Sequence, residues 1–197
     1  MPEQKNRSPR QQQQAIKPLI EDIIPECLNG QMRKIAMDFV AYLRANKMKP
    51  MWQGLNTWGA KDKGIVLYSI MLHVGKGYYG RVGDLPSWGI TLNPIHMNTY
   101  EGRIVHEGLQ NFILDNVFYC VHSGRSDSSG EGCNPNKRCA GGRDRTILGK
   151  ELKALCGCRS LTWVWDPDNA AIHGIKRLLE LEQKARNENS KNQSKRA

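Results

Sequence analysis

The stretch from Ser123 to Arg145 is 23 residues long and is dominated by Gly, Ser, Asn, Asp, Lys and Arg. A segment of that length with no apolar periodicity is unusual inside a compact domain. Ordering it costs roughly 1–2 kcal/mol per residue in backbone entropy, and it offers almost no apolar surface to offset the cost. It is therefore either disordered or fastened by a specific anchor. Cysteine is the available anchor. Five of the six cysteines fall between residues 120 and 158: Cys120, Cys133, Cys139, Cys156 and Cys158.

Thiolates that close on a metal ion convert the free energy of binding into folding free energy. Zinc in a structural role takes four Cys or His ligands in a closed tetrahedron. The expected set is Cys120, Cys133, Cys139 and Cys156, with Cys158 and His122 as substitutes. No CxxC pair occurs, so the spacing is not that of a standard finger. Reduced thiols without metal, disulfides and an iron–sulfur cluster are the competing readings. Cys27 is remote from the cluster and reads as a buried thiol.

The rest of the chain carries periodic apolar residues. Ile16, Leu19, Ile20, Ile23 and Ile24 recur as one face of a short helix with Pro18 in its first turn and Pro25 at its end. Asn29 is placed to cap a second helix from Gln31 to Lys47. Leu55 to Ala60 and Ile65 to His73 flank an Asp62-Lys63-Gly64 turn and read as a hairpin, and Ser87 to Leu92 reads as a strand. Asn98 and Glu101 have capping-box spacing before a helix using Val105, Leu109, Phe112 and Ile113. Further strands are expected at Val117–His122, on both sides of a Gly149-Lys150 turn, and at Leu161–Trp165. Asp166 and Pro167 then open a last helix with the stripe Ala171, Ile172, Ile175, Leu178 and Leu179. The fold expected is α+β: a mainly antiparallel sheet with helices packed on it, plus the long cysteine-containing loop. One domain spans 15–183, with its cysteine-rich loop at 120–158, between a disordered basic tail at 1–14 and a frayed one at 184–197.

The net charge of +10 points towards nucleic acid. Its distribution weakens that reading, because residues 1–17 carry +3, residues 184–197 carry +4 and the body between them only +3. The densest basic group of the body is Lys137, Arg138, Arg143 and Arg145, inside the cysteine segment. No apolar run approaches the roughly 20 residues of a membrane span, and the N-terminus has no signal-like apolar core. A cytoplasmic protein is expected, with no membrane partner.

Trp52, Trp58, Trp88 and Tyr68 fall in the strand-rich stretch and either line a ligand pocket or form the core. His106-Glu107 is half of a metalloprotease motif, but Gln110 stands where the second histidine belongs. Cys120 and His122 lie at i and i+2, a spacing compatible with a nucleophile and its base.

Four segments carry a resemblance: the Phe39-Val40-Ala41-Tyr42-Leu43 helix, the Trp52 to Leu72 hairpin, the Ser87-Trp88 strand, and Trp163 to Leu179 with its Asp166-Pro167-Asp168 turn. In element order the chain resembles YdhG-type, frataxin-like small bacterial α/β domains and functionally unassigned bacterial proteins of similar layout. The resemblance implies a bacterial origin and, by the family's name alone, iron handling. The cysteine loop is not part of that pattern, and no site residue carries over.

These readings lead to a non-enzymatic, zinc-stabilised domain that binds a small ligand or a protein partner. The alternatives are a nucleic-acid-associated protein using the basic loop and a thiol-dependent enzyme.

Overall fold

The computed structural model describes residues 7–62, 64–73, 87–119, 142–156 and 162–194. Three helices come first: α1 (Pro9–Ile16), α2 (Ile20–Cys27) and α3 (Gly30–Ala45). Strands β1 (Met51–Gly54), β2 (Thr57–Asp62), β3 (Ile65–His73) and β4 (Ser87–Leu92) follow, then a 3-10 turn at Met97–Thr99 and the short helices α4 (Glu101–His106) and α5 (Gln110–Asp115). The hairpin β5 (Gly142–Ile147) and β6 (Lys150–Cys156), strand β7 (Thr162–Trp165) and the long helix α6 (Asn169–Ser194) complete the described chain.

The main sheet has the order β1-β2-β3-β4-β7, and all of its pairings are antiparallel. The chain is therefore of the α+β class. Register dictates the core. Trp58 opposes Ile70, Ile70 opposes Ile90 and Ile90 opposes Val164, so one face carries an apolar row across four strands. Ile24 of α2, Phe39, Val40 and Leu43 of α3, and Ile175, Leu178 and Leu179 of α6 join that row in one core cluster. Each of the larger side chains contributes about 1.5–3 kcal/mol by leaving water.

The opposite face of the sheet is shaped by glycine. A Cβ built on Gly89 would stand 2.9 Å from Trp163 Nε1 and 3.0 Å from Trp165 Cε3. The missing side chain lets both indoles lie against the backbone of β4. They stack on each other with centroids 4.8 Å apart, and Phe118 lies 4.8 Å beyond Trp163. All six residues of β4 are consequently buried, not alternate ones as a strand with one wet face would show.

Two backbone bridges connect this sheet to the β5–β6 hairpin. Val117 bridges Thr162 of β7, and Tyr119 bridges Leu155 of β6. The hairpin turns at Leu148 and Gly149, both at positive φ (50° and 73°), as a two-residue type I′ turn requires. The turn thus sits one residue earlier than Gly149-Lys150.

Several boundaries differ from the sequence reading. The polar tail expected through Gln14 contains α1. Ser8 and Gln11 form a reciprocal capping box, and Pro9 occupies the first turn. Gln13 docks the helix: its side chain donates to Asn56 Oδ1 (2.7 Å) and accepts from the Asn56 amide (2.9 Å) and Trp52 Nε1 (3.3 Å). Pro25 lies inside α2 and does not end it. The helix expected after Asn98 is split, because Gly108 turns the chain at φ 70° between α4 and α5, and Tyr100, not Asn98, precedes α4. Asp166 does not cap α6. Its carboxylate accepts from the Trp88 amide at 2.9 Å, extending the β4–β7 pairing, and Asp168 caps the helix by accepting from the Ala171 amide at 2.8 Å. The frayed tail expected from residue 184 is helical to Ser194, and Ala185 and Arg186 are buried.

Candidate functional site

Of the expected zinc ligands, Cys120, Cys133, Cys139, Cys158 and His122 lie outside the described residues, as do Lys137 and Arg138. The described backbone nevertheless fixes where the cysteine segment begins and ends. Tyr119, the residue before Cys120, bridges Leu155. Gly142, three positions after Cys139, pairs with Cys156, and Arg143 pairs with Leu155. The described residues flanking 120–141 therefore both pair with the last two residues of β6. Just before them β6 bulges: Ala154 has φ 58°, and its amide donates to Asp144 Oδ1 at 3.0 Å. Among the described residues no three His, Cys, Asp or Glu side chains form a metal-binding group. Cys27 stands apart, and burial pushes its thiol up to about 11.

The aromatic residues proposed for a pocket behave as packing groups. Trp58, Trp88 and Tyr68 are fully buried in the core. Trp58 Nε1 donates to the Pro18 carbonyl at 2.8 Å, and the Tyr68 hydroxyl donates to the Met48 carbonyl at 2.6 Å. Burial pushes the Tyr68 hydroxyl well above the ordinary phenol range, so it remains a neutral donor. Trp52 is half-buried beside α1. His106 is exposed at the end of α4, and the adjacent Glu107 pairs with Arg177 of α6 at 2.5 Å, which holds its carboxyl below the usual range. That pairing is structural.

The structure assembles a polar cluster that the sequence reading did not single out. Glu182 and Arg186 are one turn apart on α6, 2% and 5% exposed, and joined at 2.7 Å from Arg186 Nε to Glu182 Oε1. Glu182 Oε2 accepts from the Tyr100 hydroxyl (2.8 Å) and the His96 amide (3.1 Å). Arg186 donates onward to the carbonyls of Asn93 (3.2 Å), Ile65 (3.4 Å) and Val66 (3.5 Å). Asn189 lies 3.0 Å from His96 Nδ1. Burial first, and then the Glu182 charge, push the Tyr100 hydroxyl far above its ordinary value and keep it a donor. The cluster clamps the segment 93–98 onto α6.

That segment is one wall of a cleft of about 470 Å³, and Arg145, Thr146 and Ile147 of β5 form the other. Arg145, placed by the sequence reading in a nucleic-acid surface, is exposed at this cleft.

No protein-family model matches the chain, and neither a similar curated protein nor a similar solved structure is found.

Proposed function

We propose that this chain is a non-enzymatic domain, stabilised by one structural zinc ion, that binds a small ligand or a protein partner. Cys120, Cys133, Cys139 and Cys156 hold the metal, with Cys158 and His122 as the substitutes. One observation supports the reading most: Tyr119 bridges Leu155, while Gly142 and Arg143 pair with Cys156 and Leu155, so the residues on either side of 120–141 share the end of β6. In sequence, Cys120 directly follows Tyr119 and Cys156 directly follows Leu155, the two residues that form the bridge. A metal gripped there closes the stretch at its base, where burial of side chains has nothing to offer. Four thiolates supply the charge and softness that zinc favours in closed sites.

Limited proteolysis tests the reading. In the purified protein the 120–141 segment is expected to resist cleavage, and chelator, Cys133→Ser or Cys139→Ser is expected to open new sites within it. Equal resistance before and after chelation would assign the cysteines to ordinary reduced thiols. Binding of a random RNA or DNA probe that weakens steeply with salt, and less steeply after Arg143→Ala with Arg145→Ala, would favour the nucleic-acid reading instead. A thiol in the cluster that reacts rapidly at neutral pH would favour an enzyme.

A further inference from the structure

We infer that the cleft between the segment 93–98 and β5 is a binding site for a small organic monoanion, a carboxylate carried on an apolar body. The inference rests on the reading of the chain as a binding domain and names its ligand class. At about 470 Å³ the cleft lies within the range of small-molecule sites, roughly 300–1,000 Å³.

One charge marks its described lining. Arg145 makes no ion pair with any described acid, and it is the one charged side chain among the described lining residues. The neighbouring carboxylate of Asp144 is already engaged, by Lys153 Nζ at 3.1 Å and the Ala154 amide at 3.0 Å. Arg186 lies behind the opposite wall, but Glu182 neutralises it. One planar guanidinium fork matches one carboxylate, with two parallel N–H donors to two oxygens. A phosphate dianion would find no second cation among the described lining residues.

The remaining lining supplies orientation and an apolar surface. Among the described residues the side chains of Asn98 and Thr146 have no hydrogen-bond partner. Ile95 is left 46% exposed at the cleft, with Met97 and Ile147 buried beside it. A ligand with an aliphatic body covers Ile95 while its carboxylate meets Arg145. The wall that presents Ile95 is also held in place before binding. The Glu182–Arg186 cluster grips it at Asn93 and His96, so little ordering cost falls on the ligand.

The test is an NMR titration of the full-length, metal-replete protein with hexanoate, 1-hexanol and inorganic phosphate in turn, zinc content being measured on the same sample. Hexanoate is expected to give saturable shifts at the amides of Asn98, Thr146 and Ile147. Arg145→Gln should weaken its binding about tenfold or more, Arg145→Lys less, and hexanol and phosphate should bind about tenfold more weakly than hexanoate. The side chain of Arg145 is exposed, so both variants should keep the wild-type melting temperature. Absent or unsaturable shifts, hexanoate binding indifferent to Arg145→Gln, or phosphate or hexanol binding as well as hexanoate would each overturn the inference. Failure of hexanoate on zinc-loaded protein removes this inference alone, whereas a zinc-free purified protein that binds hexanoate removes the metal reading and leaves the cleft.

Discussion

Replacing Arg186 by Met separates a buried ion pair from its surroundings while keeping most of the aliphatic stem. The wild-type guanidinium spends its donors on Glu182 Oε1 and on the carbonyls of Asn93, Ile65 and Val66. Without it, the Glu182 carboxylate, 2% exposed, keeps the Tyr100 hydroxyl and the His96 amide but loses its counter-charge. The Asn93 and Ile65 carbonyls lose a donor as well. Removing one partner of a buried pair costs about 3–5 kcal/mol, most of it the penalty for the charge left behind. For a chain of this length that corresponds to a fall in melting temperature of roughly 6–20 °C. The double change Glu182→Gln with Arg186→Met removes the stranded charge and should recover a large part of the loss. Urea unfolding of wild type, Arg186→Met and the double variant measures all three. A loss below about 1 kcal/mol for Arg186→Met, the level of an exposed pair, would refute the burial of this cluster.

Three further outcomes follow from other parts of the fold. Deleting residues 184–197 removes Arg186 and the buried Ala185 with it, so thermal unfolding should move down by at least as much as for Arg186→Met; an unchanged melting temperature would return this segment to a frayed tail. Gly89→Ala places a methyl group against two indoles and should cost about 1–3 kcal/mol in urea unfolding, whereas Gly54→Ala, which meets nothing within 4 Å, should cost under about 1 kcal/mol, and equal effects would contradict the packing on β4. The Cys27 thiol, pushed up to about 11 by burial, should escape iodoacetamide at pH 8 in the folded protein, as read by peptide mapping; its contribution to stability is complete below the unfolded thiol value and is lost as pH rises towards 11, and ready alkylation at pH 8 would refute its burial.

The fold was legible where the apolar period was unambiguous. The stripes of α3 and the first half of α6, the hairpin of β2 and β3, and β4 and β7 follow from residues such as Phe39, Ile70, Ile90 and Ile175, whose spacing leaves one solution. The errors lie where polar residues do structural work. Gln13 sits in a run of glutamines that reads as low complexity, yet Ser8-Pro9 with Gln11 is a capping signal that was present in the sequence. Asp166 and Asp168 both flank Pro167, and only the sheet register shows that the first pairs with Trp88 and the second caps α6. The Glu182–Arg186 pair continues the helical stripe of Ile175, Leu178 and Leu179, with Leu181 and Ala185 buried around it. Charged residues in register with an apolar stripe were the available sign. The partners Tyr100, His96 and Asn93 were not legible, because they come from more than 80 positions away. The same applies to the cleft, whose two walls meet only through tertiary packing.

The metal content of the purified protein tests the central claim most directly. Elemental analysis should find about one zinc per chain in wild type and in Cys27→Ser, and markedly less in Cys156→Ser, whose backbone pairs with Gly142 next to the Leu155 that Tyr119 bridges. Wild-type protein that purifies without stoichiometric zinc, or Cys156→Ser and Cys133→Ser variants that each retain it in full, would contradict the account.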